Sequence, residues 1–182
     1  MQATPLETIT LAGGCFWCTE AVFARVRGVV DVQSGYANGH VSAPTYEQVC
    51  TGSTGHAEAV RVRFDPAQIS LRELLEIFFA THDPTTLNRQ EHDVGPQYRS
   101  GIYTTHPEHE AVARALLHEL QEGGHWGAPI VTELQALTAW WPAEDYHTDY
   151  FAQHSHQGYC AAVIAPKVEK FRATFARLLK SD

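Results

Sequence analysis

Long hydrophobic runs are missing from this chain: no stretch approaches the roughly 18 apolar residues that a membrane-spanning helix needs, so no membrane association is expected. The opening M-Q-A-T-P-L-E-T has neither the basic start nor the apolar core of a secretion signal, which makes the cytoplasm the expected compartment. Positive charge is scarce as well. There are 13 Lys and Arg against 21 Asp and Glu, for a formal net charge of −8, and basic residues such as Arg61, Arg63, Arg172 and Arg177 are scattered. Without a basic stripe, nucleic acid is not an expected partner. Cysteine is sparse too: four in 182 residues are too few for a disulfide scaffold. Reduced compartments keep thiols free unless they cycle, so reactive or metal-binding roles gain weight. No internal repeat or low-complexity tract interrupts the chain. What remains is 44% apolar and long enough for one core, so residues 1–182 are read as a single domain, expected to be a monomer.

The apolar pattern gives an ordered series of elements. Residues 6–12 read as a strand, and A-V-F-A-R-V after the first cysteines has helical spacing, with Gly28 expected to end that helix. V-V-D-V-Q-S-G-Y is a second strand and A-E-A-V-R-V-R-F, alternating cleanly, a third. Ser70 and Glu73 form a capping box for a helix whose apolar residues Leu71, Leu74, Leu75, Phe78 and Phe79 share one face. Tyr98 to Thr105 reads as a fourth strand. A second capping box, Thr105 and Glu108, opens a helix with Val112, Leu116, Leu117 and Leu120 on one face. The order β-α-β-β-α-β predicts an α+β fold, a ferredoxin-like split βαβ two-layer core. A strand at 131–137, a short helix near 143–153 and a last helix from Pro166 make up a C-terminal extension. The loops at 36–56 and 82–97 are long enough to suggest function.

The first chemical signal is G-G-C-F-W-C at 13–18. A cysteine at a helix start faces unpaired amide donors and the positive end of the helix dipole, which favour thiolate over thiol. Cys15 is placed for this, with Cys18 one turn on and Gly13 and Gly14 leaving the approach open. A buried structural thiol is the alternative. Zinc would need a second pair, yet Cys50 and Cys160 stand alone, and His106 with His109 and His154 with His156 lack a matching cysteine spacing. No metal is expected.

Glu58 shares the parity of Val60, Val62 and Phe64 in the third strand, so alternation aims its carboxyl at the apolar side while Arg61 and Arg63 point away. Burial would keep that carboxyl protonated, as a general acid requires; the alternative is a strand-end glutamate curling back to solvent. Tyr46 in P-T-Y and Tyr98 in D-V-G-P-Q-Y-R-S adjoin Pro- or Gly-marked loops, where tyrosine hydroxyls can meet a ligand oxygen. Phe16 and Trp17, core residues by default, are suited beside a cleft to forming a pocket for a methyl group or a sulfur.

Together these residues resemble the A-type peptide methionine sulfoxide reductases. The likeness is carried by G-G-C-F-W-C-T-E at 13–20, G-Y-A-N-G at 35–39, P-T-Y-E-Q-V-C-T-G at 44–52, G-H-A-E-A-V at 55–60, D-V-G-P-Q-Y-R-S at 93–100, P-A-E-D-Y-H at 142–147 and G-Y-C at 158–160. It implies that Cys15 attacks the sulfur of a methionine S-sulfoxide, free or in an oxidised protein. Phe16 and Trp17 would hold the methyl group and Glu58 would protonate the oxygen. Tyr46 and Tyr98 would hydrogen-bond that oxygen, and Asp93 would help to order the site. Cys15 is then left as a sulfenic acid, which a second thiol condenses to a disulfide for thioredoxin to reduce, with no cofactor. The G-Y-C block implies Cys160 as the resolving thiol; Cys18 is a second relay thiol or a small apolar filler. Cys50 is read as structural. Competing readings are a thioredoxin-like disulfide oxidoreductase, and a non-catalytic redox sensor in which Cys15 is oxidised without turnover.

Overall fold

Ile9 and Leu11 alternate with Thr8 and Thr10, and this period of two gives β1 (Glu7–Gly13) one apolar face. The structure, a computed structural model, describes residues 4–180. The chain continues through α1 (Phe16–Phe23), β2 (Val29–Ala37), α2 (Tyr46–Cys50), β3 (Ala57–Phe64) and α3 (Leu71–Ala80). Two short strands follow, β4 (Arg89–Gln90) and β5 (Asp93–Val94), then β6 (Ser100–Thr104), α4 (Pro107–Gly123), β7 (Glu133–Ala136), β8 (Trp140–Pro142), α5 (Tyr150–His154) and α6 (Ala165–Thr174). Six strands form one sheet in the order β7-β6-β1-β3-β2-β8, while β4 and β5 pair separately. Within the large sheet only the β6 and β7 pairing is parallel, so the fold is mixed α/β with a mixed sheet.

Apolar alternation fixes the register. Ile9 lies opposite Val62 and Leu11 opposite Val60, and a one-residue slip would turn either set away from the core. Val60, Val62 and Phe64 pack with Phe16 and Phe23 of α1 and with Leu74, Leu75 and Phe78 of α3. The same register carries Glu58 to the Gly13 end of β1, where α1 begins. The α3 capping box forms: Glu73 N–H donates to Ser70 Oγ at 3.1 Å, and Ser70 N–H donates to the Glu73 carboxylate at 3.2 Å.

Several local expectations are corrected. Helix α1 stops at Phe23, and Gly28 (φ +90°) instead turns the chain into β2. Pro96 opens a 3-10 turn, Pro96–Tyr98, which removes Tyr98 from the strand and delays β6 to Ser100. The second capping box does not form, because Pro107 takes the first turn of α4 and makes His106 the residue before it, one position after Thr105. On α4, Leu116 is buried and Leu117 and Leu120 pack partly buried against the core as expected, His109 and Ala113 join them, and Val112 alone of the expected face is exposed. The long loops carry α2 and the β4–β5 pair. The short helix expected near 143–153 is a 3-10 turn, Asp145–His147, followed by α5. Among the described residues no helix is long and apolar enough to cross a membrane.

Candidate active site

The site starts where β1 hands over to α1. Cys15 is the residue that caps α1 and is 7% exposed. The glycines before it serve close packing rather than open approach, which corrects the sequence reading. A Cβ on Gly14, whose φ is +92°, would lie 2.6 Å from Gln90 Cγ, and one on Gly13 would lie 3.1 Å from Phe78. The first amide of α1 is also taken: Phe16 N–H donates to Glu58 Oε1 at 3.1 Å.

The expectation that the helix start ionises Cys15 is corrected too. Burial, the hydrogen bond to Cys18 and the nearby Glu58 carboxyl push the Cys15 thiol well up, and the Trp17 amide only partly opposes them. Cys18 goes the other way. The Cys15 hydrogen bond holds it below the usual thiol range against its own burial, with help from the Lys167 ammonium and the Tyr159 hydroxyl. The two thiols thus share one hydrogen bond and are shifted in opposite directions.

Glu58 is 1% exposed on the apolar side of β3, as its parity predicted. Burial pushes its carboxyl up to about 8 against the opposing Phe16 N–H, with Asp93 and Cys18 adding to the rise. Its second oxygen, Oε2, is buried with no hydrogen-bond partner. Tyr46 and Tyr98 both sit in the field of Glu58; burial first, then that carboxyl, raises both hydroxyls, so each stays a donor. Tyr46 is the first residue of α2, whose own capping box runs from Thr45 to Gln48. Glu144 anchors it, accepting Tyr46 N–H at 2.9 Å and Tyr36 O–H at 2.8 Å. Tyr36 pairs across the sheet with Glu58.

One wall is aromatic. Trp17 stacks on Tyr150 with centroids 3.8 Å apart and planes 5° off parallel, and its Nε1–H donates to His147 Nδ1 at 3.0 Å. Phe16 is wholly buried against Tyr36, Tyr46 and His147, whereas Trp17 keeps accessible surface. Asp93 lies on β5, with its carboxylate accepting the Tyr159 hydroxyl at 2.6 Å. Cys160 opens a π-helical turn, Cys160–Ile164, that leads into α6, and is buried in one cluster with Cys15 and Cys18. All nine residues singled out from sequence thus gather around the α1 start. Sequence reasoning gave no role to His147, Tyr150, Tyr159, Glu144 or Lys167; the P-A-E-D-Y-H and G-Y-C blocks were the signal for all but Tyr150 and Lys167.

Among the described residues no group of three or more His, Cys, Asp and Glu is arranged to hold a metal ion. Cys50 is exposed rather than a buried structural thiol, and it shares a hydrogen bond with the Tyr46 hydroxyl. What the arrangement offers is a buried dithiol beside a protonated acid, two tyrosine donors and an aromatic wall. It suits a small polar oxygen carried by a soft, apolar sulfur.

Comparison with known proteins gives the same direction. The family model described as peptide methionine sulfoxide reductase matches residues 7–179. A peptide methionine sulfoxide reductase MsrA of Ralstonia nicotianae is 57% identical over 180 residues, covering 97% of this chain and 94% of that protein. One from Thermus thermophilus is 54% identical over 176 residues, covering 97% and 99%. Among solved structures, methionine sulfoxide reductase A of Corynebacterium diphtheriae superposes with a TM-score of 0.80 at 36% identity, covering 86% of this chain and 78% of the other. Reduced Mxr1 from Saccharomyces cerevisiae gives 0.79 at 36%, covering 87% and 92%. Mxr1 in complex with Trx2 gives 0.56 at 28%, covering 82% and 89%.

Proposed function

The chain belongs to the peptide methionine sulfoxide reductase family, and from that premise we propose that Cys15 is the thiol with which it reduces methionine S-sulfoxide, Glu58 being the acid. The single observation that carries this is the buried, unpartnered Glu58 Oε2, a protonated carboxyl held beside a reactive thiol with no acceptor of its own. A sulfoxide oxygen is the acceptor it lacks, and leaving a buried donor unpaired costs about 1–3 kcal/mol until that acceptor arrives.

The reaction then balances as follows. Cys15 Sγ attacks the sulfoxide sulfur and passes its proton along the shared hydrogen bond to Cys18. Glu58 protonates the oxygen, which transfers to Cys15 as the S–O bond of the substrate breaks. Methionine leaves and Cys15 remains as a sulfenic acid. Tyr46 and Tyr98 donate to the oxygen as charge builds on it, Asp93 orders the site through Tyr159, and Trp17 with Phe16 behind it receives the methyl group. A second thiol, Cys18 or Cys160, condenses the sulfenic acid to a disulfide with loss of water. A thioredoxin-type dithiol restores the pair by exchange, supported by the Mxr1 complex with Trx2.

The proposal carries a monomeric, cytoplasmic enzyme acting as one catalytic domain. Its four central strands with α1 and α3 are inferred to be a split βαβ core, on the strength of the order β6-β1-β3-β2. The test is a single turnover without reductant: one methionine per chain from the parent protein and none from Cys15→Ser. Methionine released by that variant would remove Cys15 from the reaction.

A further inference from the structure

Only 13 Lys and Arg are spread over a chain of net charge −8, yet three of them meet in one place. A cavity of about 580 Å³ opens between the end of α1, the start of α5 and the end of α6, and Arg25, Arg172 and Lys180 line it with Asp149, the one acid among its described lining residues. Backbone pairing holds two of the cations together. Lys180 N–H donates to the Arg25 carbonyl at 2.9 Å and Arg27 N–H to the Leu178 carbonyl at 2.6 Å, on either side of the antiparallel bridge between Val26 and Leu179. Arg25 therefore stands directly opposite Lys180, where like charges repel. Arg172 adds a third positive charge: after burial, it is the next influence pushing the Arg25 guanidinium down, with Asp149 opposing. Among the described residues none of the three cations forms an ion pair. An adjoining cavity shares Asp149 and Lys180 and adds Glu20 and Asp31, but Glu20 is turned to Asp149 N–H and the Ser34 hydroxyl. Of these acids, only Asp149 lies in the cavity that Arg25 and Arg172 line. Arg25 is also held ready. Its Nη1–H donates to the Ala21 carbonyl at 2.6 Å and its guanidinium lies over the Phe151 ring, 5.5 Å from the centroid, which fixes its plane and leaves the rest of the fork for a ligand.

We infer that this cavity is a binding site for a polyvalent phosphate, a diphosphate or triphosphate chain, free or esterified to an organic group. A guanidinium fork pairs with two phosphate oxygens at once, and the second arginine and the lysine beside it neutralise charge that a lone carboxylate or chloride does not carry. An acidic peptide brings its charges one side chain at a time, several ångströms apart, whereas three cations around one cavity match charge concentrated on one ligand. The volume is larger than one phosphate group and falls in the range of sites for small organic ligands. Ala152 and Leu179 supply an apolar wall for the organic part of an ester. Bound there, the anion joins α1, α5, α6 and the segment after α6, which otherwise bring like charges together. None of the lining residues has a part in sulfoxide reduction, so the site stands independently of that reading.

The experiment is isothermal titration of the full chain with pyrophosphate, with tripolyphosphate and with ADP, each at constant ionic strength set by sodium chloride at about 0.15 M. One saturable site per chain is expected. Arg172→Gln and Lys180→Gln should each weaken it at least about tenfold, with far-ultraviolet circular dichroism unchanged, whereas Arg63→Gln, which removes the same charge from the exposed face of β3, should leave affinity as in the parent. Tighter binding of ADP than of pyrophosphate would support the site and put the organic group on the apolar wall; equal affinities would support it as a site for the phosphates alone. No saturable binding of any of the three, or a loss in Arg63→Gln equal to that in the cavity variants, overturns the assignment.

Discussion

Glu58 holds Phe16 N–H with one oxygen and leaves the other without a partner, and that asymmetry separates acid catalysis from a structural role. Glu58→Gln keeps an acceptor for the Phe16 amide and removes the acid. Methionine release in a single turnover should fall by about 10²-fold or more. The sign of the pH dependence follows from the raised pKa: the acid works while protonated, so the parent's rate declines as pH rises through about 8. The variant should lack that limb when both are followed from about pH 6 to 10. Gly14 gives a second test at this scale. Alanine there must adopt φ +92° and place its Cβ 2.6 Å from Gln90, which is itself held by Asp83 on both its amide atoms. Gly14→Ala should lose on the order of 2 kcal/mol or more in urea unfolding. An unchanged midpoint would show that the contact is soft. The sequence identified Gly14 but misassigned its purpose, because Gln90 reaches it from the distant loop that carries β4.

The C-terminal segment is tied to α1 at the scale of elements. Glu20 on α1 accepts Asp149 N–H at 2.6 Å, just before α5, and the Ser34 hydroxyl of β2 at 3.2 Å. Burial pushes its carboxyl up from 4.5 to about 7 despite those hydrogen bonds. Between these values the folded chain holds a proton that the unfolded chain has released, so this group's contribution falls as pH rises across the window and is whole below it. The change is on the order of 3 kcal/mol. Glu58 adds a slope of the same sign, reaching to about 8. Glu20→Gln should therefore flatten, without abolishing, the loss of stability between about pH 5 and 8 in urea titrations; an unaltered slope would contradict the tie. Elements set by neighbouring residues were legible in sequence, such as β3 from its alternation and α3 from Ser70 and Glu73. Those decided by one intervening proline were not: Pro96 removes Tyr98 from β6, and Pro107 displaces the start of α4 from Thr105. Strand β8 is three residues long and pairs at Gly35, where the Trp140 ring fills the place of a side chain, so no periodicity announces it.

For the whole molecule, the site depends on segments far apart in the chain. Cys15 and Glu58 were legible because a helix start and a strand parity are local signals. The opposite shifts of Cys18 and Cys15 were not, since they depend on the packing of the segment from Tyr159 to α6 over α1. The core joins α1, α3, β1 and β3 with Phe171 of α6 and Leu178 beyond it, so unfolding followed by far-ultraviolet circular dichroism and by tryptophan fluorescence should give one coincident transition. Separate midpoints would argue for an independent C-terminal unit. The most direct measurement of the central claim is turnover of the separated S and R epimers of a blocked methionine sulfoxide, with dithiothreitol as reductant and Cys15→Ser beside the parent. Turnover confined to the S epimer and abolished by the substitution is the predicted result. Turnover of neither epimer, with Cys15 still open to alkylation, would contradict it.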